Sequence, residues 1–161
     1  MYLPSHFAET RGEVLHALMR AHPFATLVTQ GGTGLNADHL PLHFAAGIGP
    51  FGALQGHVAR ANPLWRQAAD TEVLAIFHGP HAYVSPGWYE QHPAVPTWNY
   101  AVVHAHGTAR LMDEAELHEL LITLSSQYES HRPHPWKMSA LPAAYVSGML
   151  AQIVGFEIEV E

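Results

Sequence analysis

The chain is a succession of short apolar segments separated by turn residues, most of them at the spacing of β-hairpins. The segment 24–29 is rich in β-branched and aromatic residues and is followed by a glycine-rich turn at 31–34. Similar segments occupy 35–44, 51–58, 72–78, 81–85, 96–111 and 153–160. Parallel strands would need long crossovers between them, so this spacing predicts antiparallel pairing. We expect a mainly β (α+β) fold, an antiparallel barrel with helices at its edges.

Four helices are predicted around the barrel, at about 10–22, 62–69, 113–130 and 140–152. Thr10 and Glu13 have the spacing of a capping box at the start of the first helix. Asn62 is the expected cap of the second helix, and Asp113 opens the third. No repeat, low-complexity segment or long linker divides the chain, so we expect a single domain over 1–161.

Charge and composition exclude several classes of function. Lysine and arginine together number only 7, they are scattered, and the formal net charge is -7. Nucleic-acid binding draws much of its affinity from neutralised phosphates, so direct DNA binding is doubtful for this chain. The chain has no cysteine, which excludes disulfides, thiolate metal sites and thiol catalysis.

The sequence also bears on location. No apolar run approaches the roughly 18 residues that a membrane helix needs. The first residues lack the basic and then apolar pattern of a secretory signal. We therefore expect a cytoplasmic protein without a membrane partner.

The stretch 81–107 is the strongest candidate for a binding site. It contains Trp88, Tyr89, Trp98 and Tyr100, whose large flat apolar surfaces each carry one polar edge. Four histidines lie in the same stretch and can donate, accept or carry charge. This combination favours a flat ligand with polar edges.

Segments along nearly the whole chain resemble the PaiB family of FMN-binding negative transcriptional regulators. The resemblance is carried, in order, by HPFATLVTQ (22–30), HLPLHF (39–44), GHVARANPLW (56–65), VLAIFHGPHAYVSPGWY (73–89), VPTWNYAVVHAHG (95–107), RPHPW (132–136) and IVGFEIEVE (153–161). It implies the Greek-key-like split β-barrel shared with pyridoxamine-phosphate oxidases and flavin reductases. It also implies a homodimer with FMN in grooves between the subunits.

The resemblance directs attention to the junction at 57–62 for the FMN phosphate. Arg60 follows a strand and precedes the helix that begins after Asn62, where free N–H groups favour anions. His57 and Asn62 are candidates to assist. The alternative is that Arg60 is a surface residue and Asn62 only a helix cap.

Two strands are candidates for the flavin ring. His39 lies on the strand that lines the flavin in split barrels, and it would hydrogen-bond the ring or the ribityl chain. Strand alternation separates Thr97 from Trp98 and Tyr100, and either set can face the groove. The alternative is an aromatic pair in the core.

No metal site or catalytic set is predicted. His104 and His106 have a spacing that can bind a metal, but no third ligand is fixed by the sequence. The serines lack the G-x-S-x-G context of a nucleophile elbow, and no phosphate-binding glycine motif is present. The catalytic residues are therefore unknown.

Three interpretations remain open. The leading one is a PaiB-like regulator that senses a ligand or a redox state at the groove between two subunits. A second is a small FMN-dependent oxidoreductase of the pyridoxamine-phosphate oxidase or flavin reductase type, so whether the protein is an enzyme stays open. A third is a split barrel that binds haem or another flat molecule, or no cofactor.

Overall fold

Seven strands and four helices make up the fold in the computed structural model, which describes residues 2–32 and 34–161. Thr33, within the predicted turn 31–34, lies outside the described residues. The strands are β1 Phe24–Gly31, β2 Gly34–Pro41, β3 His43–Ala45, β4 Ala53–Ala59, β5 Thr71–Val84, β6 Thr97–Leu111 and β7 Ile153–Val160. The helices are α1 Gly12–Ala21, α2 Leu64–Ala68, α3 Glu114–Glu129 and α4 Ala143–Leu150.

All seven strands form one antiparallel sheet in the order β2-β1-β5-β6-β7-β4-β3. Strands β5, β6 and β7 follow one another, and β4 lies beside β7, which is a Greek-key connection. The edge strands β2 and β3 are joined through Leu42. A Cβ at Gly56 on β4 would lie 2.8 Å from Leu42 Cδ2, so the glycine allows this close approach. The sheet is the predicted split barrel.

Two of the predicted strand segments divide differently in the structure. The segment 35–44 is split into β2 and β3 at Leu42, whose N–H still donates to the carbonyl of Pro23 at 2.8 Å, while Pro23 has no N–H to return the second bond of that pair. The segments 72–78 and 81–85 are one strand, β5, which is interrupted by a bulge between His78 and His81. The bulge keeps β5 paired with β6 along its whole length.

The helix starts also differ from the predictions. No capping box forms at Thr10, since α1 begins at Gly12 and the Arg11 N–H donates to Glu9 Oε1 at 2.8 Å. A capping box is present at α3 instead, where Asp113 and Glu116 each accept from the other's backbone N–H.

The core lies on the concave side of the sheet. Its fully buried side chains include Phe77 of β5, Phe156 and Ile158 of β7, Leu27 of β1 and Leu54 of β4. Helices α1 and α2 close the core through Met19, Leu64 and Ala68. Each strand alternates inward and outward, so burying one set of side chains leaves the other set on the convex side.

No helix within 2–32 and 34–161 is both long and apolar enough to span a membrane.

Candidate functional site

The convex side of the sheet has two halves, and only one of them is covered. Helices α3 and α4 pack against β4 and β7, and we call the outer side of β3, β4 and β7 the covered face. The outer side of β2, β1, β5 and β6 is the open face. It is formed by Leu35, Ala37, His39, Phe24, Thr26, Val28, Leu74, Ile76, His78, Val102, His104 and His106.

Apolar side chains of the open face are left in contact with solvent. Phe24 is 63% exposed and Leu35 is 77% exposed. Val28 on the same strand as Phe24, and Leu74 and Ile76 on the neighbouring β5, are half-buried. Monomeric proteins seldom leave a continuous apolar area of this kind unfilled, so the open face is a candidate contact surface.

Histidines from three strands interrupt this apolar area. His104 lies opposite Ile76, and Ile76 lies beside Thr26, which in turn lies opposite His39. The His78 Nε2 atom is 3.5 Å from Thr26 Oγ1. Burial lowers the pKa of His104, and the neighbouring His106 and His78 lower it further. An imidazole in its neutral form donates from one ring nitrogen and accepts at the other, so such a cluster can meet the polar edges of a ligand.

A two-stranded extension, the aromatic arm (81–84 and 97–100), continues the open face at one end. His81 pairs with Tyr100 and Tyr83 pairs with Trp98, so these four rings share one side of the arm. The ring centroid of Trp98 is 5.8 Å from that of His81 and 6.2 Å from that of Tyr83. Trp98 is 58% exposed and Tyr100 is 65% exposed.

The arm shows on which side of β6 each of the predicted residues at 97–100 lies. Trp98 and Tyr100 precede His104 on β6 by six and four positions, and an even difference places side chains on the same side of a strand. They therefore lie on the same side as the open face. Thr97 points to the opposite side, together with Asn99. Of the three predicted residues on this strand, Trp98 and Tyr100 can therefore act together.

Arg60 lies at the other end of the barrel, where its guanidinium holds the end of α4 to the start of β7. Its Nε donates to the carbonyl of Ala151 at 2.7 Å, and its Nη2 donates to that of Ile153 at 2.9 Å. A guanidinium has five N–H groups, so donors remain for a second partner. A phosphate role for Arg60 stays a prediction.

Asn62 has partners within the protein itself, and His57 is partly buried. The Asn62 Oδ1 accepts from the Leu64 N–H at 2.8 Å, and its Nδ2 donates to Asp38 Oδ1 at 2.9 Å. The contact of Asn62 with the Leu64 N–H corresponds to the alternative given above, in which Asn62 is a cap at the start of α2. His57 points to the covered face and is half-buried, and this burial lowers its pKa.

The predicted residues therefore do not converge within one copy. His39 is level with His104, which is six residues from Trp98 on β6. At the usual spacings, His39 and Trp98 are about 20 Å apart along the strands and about 14 Å apart across them. Both cannot contact the ring system of one flavin in a single copy.

The cavities of a single copy lie elsewhere. A cavity of about 860 Å³ between α3 and 136–150 is lined by none of the predicted residues. A second cavity of about 250 Å³ has Arg60 in its wall, and it is smaller than a typical ligand pocket. A groove that uses the predicted residues thus needs a further surface.

The grouping of Thr26, His78 and His104 was missed in the sequence. Alternation along each strand was visible, but the pairing of β1 with β5 joins residues that are some fifty positions apart. Only a correct strand order could have brought them together.

Comparison with known proteins supports a flavin-binding fold. The profile of a family described as "Putative FMN-binding domain" matches residues 1–161. The chain belongs to this family. It is 39% identical over 162 residues to "Protease synthase and sporulation protein PAI 2" of Bacillus subtilis, covering 100% of this chain and 77% of the relative. The PaiB resemblance is thereby confirmed.

A fungal relative extends the comparison. An uncharacterised protein of Emericella nidulans, AN0679, is 31% identical over 202 residues, covering 100% of this chain and 80% of the relative. The chain is therefore similar to both bacterial and fungal members.

Solved structures share the fold at low sequence identity. The flavocytochrome Anf3 from Azotobacter vinelandii superposes with a TM-score of 0.76 at 14% identity, covering 99% of this chain and 69% of that one. An FAD and heme binding protein from Mycobacterium smegmatis gives a TM-score of 0.72 at 16% identity, covering 95% and 68%. These likenesses confirm the split-barrel fold.

Proposed function

We propose that this protein is a homodimeric FMN-binding regulator, in which two copies pair through the open face and form the flavin groove between them. The observation that carries the proposal is the exposed apolar area of the open face, continued by the aromatic arm. Pairing would remove this area from water, and each Å² of apolar surface buried contributes about 25 cal/mol of favourable free energy.

The open face and the arm have the chemistry that a flavin ring requires. Trp98 and Tyr100 offer flat apolar surfaces with polar edges, and His39 offers a hydrogen-bonding group. Bound FMN supplies hydride and electron transfer, while the protein supplies binding and orientation. Since His39 and Trp98 are far apart in one copy, we assign them to different ends of the groove or to grooves completed by the second copy.

The regulatory role is supported by the PaiB relationship, and the charge indicates that it is indirect. The chain has only 7 lysine and arginine residues against 14 aspartate and glutamate residues. A surface of this balance repels phosphate backbones. We therefore propose that the state of the groove is read by another molecule rather than by direct contact of this chain with DNA.

The first experiment measures flavin uptake. Purified protein is mixed with FMN and desalted, and the retained absorbance near the flavin's ~450 nm band is recorded together with the molar mass in solution. We expect a paired species that retains the band. Trp98→Ala should weaken FMN binding by about tenfold, because one aromatic wall contributes about 1 kcal/mol or more.

Trp136→Ala is the matched control, since Trp136 is also an exposed tryptophan, 47% accessible, but lies in the wall of the α3 cavity. It should leave FMN uptake unchanged. Equal losses in the two variants would refute the assignment of Trp98, and a protein that retains no flavin would refute FMN binding. Sustained turnover of a nicotinamide reductant by the FMN-loaded protein would favour the oxidoreductase alternative.

A further inference from the structure

The open face carries four histidines per copy, and the charged side chains that continue the same side of its strands are Glu72 on β5 and Arg110 on β6. These histidines are His39 on β2, His78 on β5, and His104 and His106 on β6. A pair formed through this face would place eight imidazoles at or near one interface. Histidine is the side chain whose charge changes between about pH 5 and pH 8. The proposed interface is thus apolar and neutral toward the upper end of that range and gains positive charge toward its lower end.

The groups that face His104 are known on each neighbouring strand. On β6 the neighbour is His106, and on β5 it is His78, while Glu72 lies farther along β5, opposite Thr108. The outward positions of β1 are Phe24, Thr26 and Val28, which do not titrate. Beyond β1, His39 of β2 lies at the same level.

One carboxylate is available at the rim of this cluster. The Glu72 Oε1 atom is 3.6 Å from His106 Nδ1, and its side chain is 77% exposed. An exposed contact of this kind stabilises a charged imidazole only slightly. It can serve one histidine of the four, so protonation would leave positive charge on an otherwise apolar surface.

We propose that two copies pair through the open face only while its histidines are neutral, so that mild acid separates the pair into folded single copies. This inference rests on the proposed function, because it assumes that the open face is the pairing surface. Burying an unpaired charge is strongly unfavourable, so the paired state excludes protons that the single copies bind. Proton binding and pairing therefore oppose each other.

Linkage gives the size of the effect. Each proton that is taken up on separation raises the Kd of pairing by up to tenfold per pH unit, once the pH lies below the pKa of that histidine in the single copy. One histidine per copy gives two protons per pair, so the limiting dependence is about a 100-fold increase in Kd per pH unit. Additional histidines would make the dependence steeper.

Sedimentation of the full chain at pH 7.5 and pH 5.5, at constant ionic strength, tests the inference. The test variant is His78→Asn with His104→Asn, whose side chains cannot gain charge in this range. The control variant is His131→Asn with His134→Asn, two exposed histidines outside the open face. Circular dichroism at both pH values reports whether the chain stays folded.

We expect the natural sequence and the control variant to be paired at pH 7.5 and to separate into folded single copies at pH 5.5. The test variant keeps only His39 and His106 on the open face, so the Kd of its pairing should rise less between the two pH values than that of the natural sequence. Three outcomes would each overturn the inference. The natural sequence could stay paired at both pH values, the test variant could separate as much as the natural sequence, or acid could unfold the chain instead of separating the copies. Single copies at both pH values would instead refute the pairing in the proposed function itself.

Discussion

The two halves of the convex sheet surface differ in how strongly their polar groups are bonded to other residues of the chain. Where the end of β6 meets the covered face, Arg110 Nη2 lies 2.7 Å from Glu157 Oε1 and 2.8 Å from Glu116 Oε1, and Gln55 donates to Glu157 at 2.7 Å. Glu157 is only 5% exposed, yet all of its contacts are charge-assisted. On the open face, the histidines have weaker partners and the aromatic rings remain exposed.

This difference separates what stabilises the fold from what the fold presents to other molecules. The covered face is complete within one copy, since α3 supplies Glu116 and the capping box that fixes its position. The open face has apolar area and hydrogen-bonding groups without an equivalent cover. We therefore expect substitutions on the covered face to change the free energy of unfolding, and substitutions on the open face to change pairing and flavin binding.

The largest expected effect is on pairing. Ile76→Glu places a carboxylate at the centre of the open face, and a symmetric pair would bury two of them. We expect the Kd of pairing to rise at least 1,000-fold, about 4 kcal/mol, with little change in the free energy of unfolding of single copies.

The control for this variant is Ile122→Glu, on the exposed side of α3. Sedimentation should show that it pairs like the natural sequence. If both variants remain paired, the open face is not the pairing surface.

The second effect concerns the covered face. Glu157→Ala removes the shared partner of Arg110 and Gln55, leaving polar groups under α3 without it. We expect the free energy of unfolding in urea to fall by about 2 to 3 kcal/mol, since Arg110 remains partly hydrated. Glu159→Ala, at an exposed position two residues farther along the same side of β7, should cost less than about 0.5 kcal/mol. Equal losses of unfolding free energy in the two variants would show that the contacts of Glu157 with Arg110 and Gln55 add little to stability.

The sequence predicted the covered half better than the open half. Helix α3 and strand β7 have local signals, namely the capping residue Asp113 and the alternation of 153–160. Such signals depend on neighbours in the chain, and they identify an element without its partners. The fold class followed from them because hairpin spacing restricts the possible strand orders.

The candidate site could be predicted only in part, because its faces depend on pairings between distant strands. The bulge between His78 and His81 decides which side of β5 carries Tyr83 beside Trp98. Thr97 and Trp98 are adjacent in sequence but fall on opposite sides. The contacts of Arg60 with the end of α4 likewise join residues some ninety positions apart, which no local pattern reports.

The third prediction concerns acid, which should affect the open face and the covered face at different pH values. Hydrogen bonds from Arg110 and from the Asp113 backbone lower the pKa of Glu116 below its ordinary value of 4.5. A lowered pKa gives stability that is present above pH 4.5 and is lost as pH falls through the folded value. Pairing should therefore fail near pH 6, while the fold weakens only below about pH 4.5.

Urea unfolding between pH 7 and pH 3.5 checks this order of events. Glu116→Gln should reduce the loss of stability below pH 4.5 without moving the pH at which pairing fails. A single transition in which separation and unfolding coincide would contradict the distinction between the two faces.

The smallest expected effect is at the rim of the open face. Glu72 lies 3.6 Å from His106 and stabilises its charged form, so it favours proton uptake by single copies. Glu72→Gln should therefore move the midpoint of acid separation to lower pH, by about 0.3 unit, since an exposed contact is worth only a few tenths of a kcal/mol. Glu161→Gln is the control, because Glu161 contacts Thr108 at the end of the same strand rather than a histidine. A shift to higher pH in Glu72→Gln would mean that the carboxylate acts across the interface, as a partner for the second copy, and not on His106 of its own chain.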